Sequence, residues 1–119
     1  MPPIDYFRTA EETETYEAGS VIFEANEIGK SMYAVRSGQV AIVLYEQEVE
    51  VLAEGGLFGE MALIDNATRS AKAVAKTDCV VVPVDKNRFL YLVHETPTFA
   101  LQVMQIMSER LRRLNEQLK

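Results

Sequence analysis

The stretch Phe58-Gly59-Glu60-Met61-Ala62-Leu63-Ile64-Asp65-Asn66-Ala67-Thr68-Arg69-Ser70-Ala71 breaks the rhythm of the chain around it. Its neighbours on both sides read as short strands, whereas residues 60–64 support a single helical turn between a glycine and a polar loop. Gly59 lets the backbone come close to a ligand. The N–H groups that open a short helix have no partner within it and, with the local dipole, favour an anion. Arg69 follows ten residues after Gly59 and has the planar fork to close bidentately on the same anion. Glu60, in the first helical turn, is placed to accept a hydrogen bond from a sugar hydroxyl. The alternative left open by this spacing is a plain loop held by a solvated ion pair between Glu60 and Arg69.

Working outward, short apolar runs alternate with turn residues. Upstream, 21–23, 31–35, 39–45 and 49–52 read as strands. They are separated by Ala18-Gly19-Ser20, by a loop with Asn26 and Gly29 as its turn residues, by Arg36-Ser37-Gly38, by a polar turn at 46–48, and by Glu54-Gly55-Gly56. Downstream, 71–75 and 80–84 read as two more strands around Thr77-Asp78, with Pro83 placing the second at a sheet edge or near its own end. Strands recurring every 8–12 residues or so predict an antiparallel sandwich, barrel or jelly roll. Residues 1–15 are polar, with a short helix expected over 4–10 and Phe7 as its anchor.

The last third changes period. Asp85 or Asn87 is suited to cap a helix over 88–94, and Thr96-Pro97 to open a second one that nothing breaks before Lys119. Met104, Met107, Leu111, Leu114 and Leu118 are spaced 3, 4, 3 and 4 apart, a heptad stripe that makes a candidate dimer seam. Phe99, Val103 and Ile106 form a second stripe beside it, able to face the barrel. Arg110, Arg112 and Arg113 read as a solvated helix face that complements the C-terminal dipole, with a docking surface for an acidic partner as the sharper option.

At 119 residues the chain is sized for one domain, with 48% apolar residues and no run approaching the ~20 residues of a membrane span. The N-terminus has neither the basic nor the apolar region of a signal peptide, so a cytoplasmic protein is expected. One cysteine (Cys79) and one histidine (His94) exclude an internal disulfide, a four-cysteine metal site and the histidine cluster of a metal-dependent jelly-roll enzyme. No enzymatic activity and no cofactor are expected. Residues 1–60 hold 12 acidic and 3 basic side chains, net −9, and residues 61–119 hold 6 and 9, net +3. An acidic chain of net charge −6 is a poor nucleic-acid binder as a whole, while its basic half can receive a small anion.

Residues 58–64 followed by Arg69-Ser70-Ala71 resemble the phosphate-binding cassette of cyclic nucleotide-binding domains. Such domains occur in catabolite-activator-type regulators, in regulatory subunits of cyclic-nucleotide-dependent kinases and in gated channels. Residues 16–23 resemble the family's first barrel strand, and residues 32–40 its central hairpin, so the resemblance spans about residues 16–115. It implies a mainly β fold: an antiparallel jelly-roll barrel over about 16–86 with a short phosphate-binding helix, and C-terminal helices over about 87–119, together one domain over 1–119. It also implies roles. Arg69 would bind the exocyclic phosphate oxygens and Glu60 the ribose 2′-hydroxyl. The backbone at Gly59, Met61 and Ala62 would form the amide cradle and shape the ribose pocket. Ser70 would touch phosphate or base, and it stands between the Thr associated with cGMP and the Ala associated with cAMP. Gln117 and Leu118 fall where the family's last helix approaches the base. Thr68 replaces the family's common Pro, and Asn26 stands in place of a turn Gly, a substitution that Asn tolerates.

The expectation from sequence is therefore a cytoplasmic module that binds cAMP or cGMP and shifts its C-terminal helices in response. It would pair as a homodimer through the last helix and signal to an effector protein, without contacting membrane or nucleic acid, since no helix-turn-helix follows the long helix in the residues given. The alternative is a ligand-free barrel that serves as an oligomerisation or interaction protein through that helix.

Overall fold

A computed structural model describes Phe7, residues 9–65 and residues 67–117. Among these residues lie eight strands: β1 (Glu14–Tyr16), β2 (Val21–Phe23), β3 (Ser31–Ser37), β4 (Val40–Leu44), β5 (Gln47–Leu52), β6 (Leu57–Phe58), β7 (Lys72–Ala75) and β8 (Cys79–Asp85). They form two antiparallel sheets, ordered β1-β8-β3-β6 and β2-β7-β4-β5. Most connections carry the chain from one sheet to the other, and only β4 and β5 stay together as a hairpin. Three helices follow in the numbering used below: α1 (Glu60–Asp65) inserted between β6 and β7, then α2 (Lys86–Glu95) and α3 (Thr98–Gln117).

The first sheet is covered on both faces. Val35, Phe58, Cys79 and Val81 point between the sheets, where they meet Phe23, Val40, Leu52, Ala73 and Ala75 of the second sheet. Met32, Ala34, Val82 and Val84 point the other way, under Leu92 of α2 and Phe99 and Val103 of α3. That double burial is why Cys79-Val80-Val81-Val82 reads as an unbroken apolar run rather than an alternating one. Phe99 packs edge-on against both Phe89 and Phe7, with ring centroids 5.5 and 6.3 Å away, so Phe7 anchors the N-terminal segment as expected. Arg36 fastens the same segment by donating to the carbonyls of Phe7 and Ala10. The expected helix over 4–10 lies largely outside the described residues, although Phe7 and Thr9 are helical.

Three expectations need correction. β1 was not legible, because Glu14-Thr15-Tyr16 is a polar edge strand paired only to β8. The short β6 was likewise read as part of the segment leading into the cassette. The β4–β5 turn sits at Tyr45-Glu46, with φ of 52° and 63°, and not at 46–48. Two consecutive left-handed residues make the tight turn whose twist suits a hairpin, although neither is the Gly or Asn that such turns favour. Pro83 fits its expectation: β8 is a central strand, but β1 pairs only with Cys79, Val80 and Val81, so Pro83 is flanked by β3 alone.

Asp85 caps α2 by accepting from the Arg88 N–H at 2.8 Å, and Thr96 closes it by donating to the Leu92 carbonyl at 2.8 Å. α3 begins just past Pro97. Its first half packs on the sheet through Phe99 and Val103, and its second half crosses the mouth of the barrel. The heptad stripe does not lie on one surface of this chain. Met107 packs against the core beneath α3 and Leu114 turns towards a cavity, while Met104 and Leu111 face solvent. A helix turning 100° per residue spreads Met104 to Leu114 over about 80° of arc, so one edge of the stripe meets the barrel and the other does not. Leu118 lies outside the described residues. No helix among the described residues is long and apolar enough to cross a membrane.

Candidate functional site

A cavity of about 250 Å³ opens between the second sheet, α1 and the second half of α3. Gly59, Glu60, Met61, Ala62, Arg69 and Ser70, singled out from sequence, all line it. The opposite walls are Phe23 of β2, Ile42 and Leu44 of β4, and Val49 and Glu50 of β5. α3 closes the top with Arg110, Arg113, Leu114 and Gln117. A wider depression of about 750 Å³, bordered by Glu11, Glu12 and Arg88, shares none of these residues.

Arg69 is held by its backbone and exposed at its head only to the cavity. Residues 26–28 run antiparallel to residues 68–69: the Asn26 N–H donates to the Arg69 carbonyl at 2.7 Å, and the Arg69 N–H to the Glu27 carbonyl at 2.8 Å. Ile28 and Thr68 form an isolated bridge in the same ladder. This zipper supplies the rigidity that the missing Pro at position 68 would otherwise give. Asn26 adopts φ 72°, so the substituted turn is made as expected.

The Arg69 guanidinium donates to the carbonyls of Gly59 (3.0 Å) and Ser31 (2.7 Å) and lies 4.1 Å over the Phe23 ring. The residue is 5% exposed, and burial is the main influence lowering its pKa. Among the described residues no carboxylate pairs with it within 4.0 Å. The ion pair between Glu60 and Arg69, the alternative that spacing left open, is not formed. Besides these carbonyl dipoles and ring faces, Tyr33, Glu27 and Glu60 offset its charge without an ion pair, so the buried head can still take up an anion. Tyr33 stacks on Phe58 at 5.2 Å beside it, its phenol pushed up by burial despite the opposing pull of Arg69.

Two glycines make room for this head. A Cβ on Gly29 would stand 2.6 Å from Arg69 Cζ and 2.7 Å from Ala62 Cβ. Gly59 has φ of 80°, and a Cβ there would lie 2.8 Å from Arg69 Nη1. Sequence reading saw Gly29 only as a turn residue, because the side chain that forbids a Cβ is 40 positions away.

Glu60 is equally buried, at 5% exposure, and is engaged from above. Arg110 of α3 donates from Nη1 to Glu60 Oε1 at 2.9 Å, from Nε to Glu50, and from Nη2 to the Leu57 carbonyl. Arg113 adds a 3.0 Å ion pair to Glu50. Two of the three arginines read as a solvated face are therefore clasps between α3 and the barrel, and only Arg112 fits the expectation. Neither Glu50 nor the Arg110 clasp was found from sequence. Gln117 does line the cavity.

No group of three or more His, Cys, Asp or Glu among the described residues is arranged to hold a metal ion. Cys79 is buried and its thiol is pushed up, first by burial and then by Asp78.

The sequence profile described as the cyclic nucleotide-binding domain matches residues 13–96. The cyclic AMP receptor protein of Thermus thermophilus is 33% identical over 102 residues, covering 82% of this chain and 47% of that protein. A cAMP-dependent protein kinase regulatory subunit of Hypocrea atroviridis is 36% identical over 82 residues, covering 69% of this chain and 18% of that protein. The crystal structure of the Thermus thermophilus catabolite activator protein superposes with a TM-score of 0.81 at 30% identity, over 97% of this chain and 55% of that one. The chain thus spans less than half of the first relative and less than a fifth of the second.

Proposed function

The chain belongs to the cyclic nucleotide-binding domain family, and from that premise we propose that its cavity binds a purine 3′,5′-cyclic nucleotide, cAMP or cGMP, as the input of a regulatory module. The observation that carries this reading is Arg69: a buried cation facing a cavity, positioned by its backbone and by two obligate glycines, with no carboxylate partner among the described residues. The exocyclic phosphate oxygens take the place of that partner. Backbone at Gly59, Met61 and Ala62 cradles the phosphate and ribose, and Ser70 lies at the rim for phosphate or base. Glu60 accepts from the ribose 2′-hydroxyl. The relatives named for cAMP support this class of ligand without deciding the base.

Signalling follows from where Glu60 is tied. Its oxygen already bonds Arg110, so a ribose hydroxyl arriving there changes the seat of α3 on the barrel. A ligand moves such an equilibrium only by its difference in affinity for the two seats. The solvent-facing edge of α3, with Leu101, Met104 and Leu111, is the surface that a second copy or an effector protein would read, and we place a homodimer there. The module acts in the cytoplasm by binding, with no chemical step, and needs no cofactor besides the nucleotide.

Calorimetric titration with cAMP and with cGMP tests the reading. Micromolar or tighter binding is expected, weakened by about 2–4 kcal/mol in Arg69→Ala, or roughly 30- to 1000-fold. Absence of heat with both nucleotides in a folded sample would leave the ligand-free interaction role. Binding by the variant equal to that of the wild type would sink the assignment of Arg69.

A further inference from the structure

β5 carries its charges the wrong way round. Its sequence, Gln47-Glu48-Val49-Glu50-Val51-Leu52, alternates so that a barrel strand would be expected to turn its valines inward. Instead Val49 and Val51 are exposed, while Glu50 shares the inward face with Leu52, a core residue. The register explains how. Ile42 pairs with Glu50, Ala41 with Val51 and Val40 with Leu52, so Glu50 follows the alternation that buries Leu52; the register shifts only beyond it, where Val43 pairs with Glu48 and Val49 is the extra residue of a bulge at the cavity rim. Across the ladder Glu50 sits opposite Ile42, and both line the cavity.

The Glu50 side chain is 20% exposed and stands among apolar walls, Ile42, Leu44, Val49 and Leu114, that form a slot suited to a flat ring. A carboxylate is a costly choice for such a wall, since a valine or leucine would pack there without desolvating a charge. Its oxygens meet Arg110 Nε at 3.1 Å and Arg113 Nη2 at 3.0 Å. An ionised carboxylate offers about four acceptor sites, so these contacts leave capacity for further donors. Its place relative to the sugar is also fixed: the guanidinium of Arg110 that touches Glu50 also holds Glu60 at 2.9 Å. A base is attached to the ribose carbon next to the one carrying the 2′-hydroxyl, so a nucleotide seated on Glu60 brings its ring towards Glu50.

We propose that Glu50, with Arg113 beside it, reads the base, and that the site prefers guanine to adenine. This deepens the cyclic-nucleotide reading and rests on it. Guanine presents two adjacent donors, N1–H and the 2-amino group, followed by the O6 acceptor. A carboxylate accepts from both donors at once, and the Arg113 guanidinium beside it donates to O6. Adenine offers the 6-amino donor next to the bare N1 acceptor, whose lone pair would face a carboxylate oxygen. A bidentate pair of this kind discriminates between bases by about 5- to 150-fold.

The test is calorimetry on the full chain with three probes: cGMP, cAMP, and inosine 3′,5′-cyclic monophosphate, which keeps N1–H and O6 but lacks the 2-amino group. The expected order of affinity is guanine, then hypoxanthine, then adenine. Glu50→Gln, which keeps shape but replaces one acceptor by a donor, should lower the cGMP-to-cAMP affinity ratio by about tenfold or more. Should that variant fail to give a cooperative melt, Glu50→Ala and the wild-type order decide the matter. cAMP bound as tightly as cGMP by the wild type overturns the guanine assignment and leaves the nucleotide site standing. Equal weakening of both nucleotides in Glu50→Gln overturns it too, reducing Glu50 to an anchor for α3. Failure of the folded wild type to bind any of the three overturns the reading of the site itself, and this assignment with it.

Discussion

The cavity holds two deeply set arginines, and they differ in what faces them. Arg69, at the α1 end, is neutralised by two carbonyl oxygens and the face of Phe23. Arg110, under α3, meets Glu60, Glu50 and the Leu57 carbonyl. The residue type is the same and Arg110 is only somewhat more exposed than Arg69, so the partners decide the role. A guanidinium with carboxylates on two sides already has its charge answered and ties one element to another. A guanidinium with none in contact, its charge offset by Tyr33 and at a distance by Glu27 and Glu60, keeps a local positive potential suited to an anionic ligand. The same comparison separates the two glutamates, since Glu60 opens α1 beside Arg69 and Glu50 lies across the cavity on β5, yet both are bound to the same cation.

Truncating each arginine should therefore move different readouts. Arg69→Ala should cut nucleotide affinity by about 2–4 kcal/mol and abolish the rise in melting temperature that saturating nucleotide gives the wild type. Arg110→Ala should act first on the empty protein. Two partly buried carboxylates lose their shared cation, and urea denaturation without ligand should show a loss of about 2–3 kcal/mol, below the range for fully buried pairs because these carboxylates and Arg110 keep some solvent contact. If Arg69→Ala destabilised the unliganded protein more than Arg110→Ala, the contrast between ligand site and clasp would be broken.

Gly29→Ala sharpens the comparison from the Arg69 side alone. The added Cβ, 2.6 Å from Arg69 Cζ, displaces the head without altering its charge. Overpacking of this kind costs about 1–3 kcal/mol, which should appear mainly as a loss of nucleotide affinity of about tenfold while the Arg110 clasp stays intact. Unaltered affinity in a folded Gly29→Ala protein would show that the head tolerates relocation.

The cassette was legible because its chemistry is local. Gly59, Glu60 and Arg69 stand close enough in sequence for one loop and one helical turn to bring them together, whatever the rest of the chain does. The strand-rich class was legible from period and punctuation, and the cap of α2 as one of two residues, Asp85 or Asn87, of which Asp85 takes the role. What stayed hidden depends on distant partners. Gly29 is required by the Arg69 side chain, and β1 is a strand only because β8 offers it an edge. Glu50 faces inward only because β5 sets Leu52 opposite Val40 and Glu50 opposite Ile42, and Arg110 is a clasp only because α3 crosses the barrel mouth at that residue. Periodicity says which residues share a face but not what that face meets, which is also why the Met104–Leu114 stripe divided between core and solvent.

The smallest expected effect concerns the phenols near the same sheet. Tyr16 and Tyr33 both hold their protons above the ordinary tyrosine value of 10.0, Tyr16 by burial and then by its 2.8 Å hydrogen bond to Glu14, Tyr33 chiefly by burial. In each case the folded protein holds the proton more tightly than the unfolded chain. Such a group contributes its stabilisation fully below the unfolded pKa, and the contribution is lost as pH rises above it towards the folded value. The buried Cys79 thiol, also pushed up, begins the loss as pH rises through 9.0, and urea stability should fall more steeply above pH 10, by up to about 1.4 kcal/mol per pH unit for each phenol that ionises only on unfolding. Tyr16→Phe should make that fall shallower, because it removes one of the two phenols. Tyr33 ties the effect back to the arginines: Arg69 pulls its pKa down against burial. A bound phosphate that answers the charge of Arg69 weakens that pull, so spectroscopic titration of the tyrosines should show the Tyr33 transition moving higher with nucleotide bound. Arg69→Ala should produce the same upward shift without nucleotide, and no shift in either case would mean that burial and the neighbouring glutamates set the phenol without Arg69.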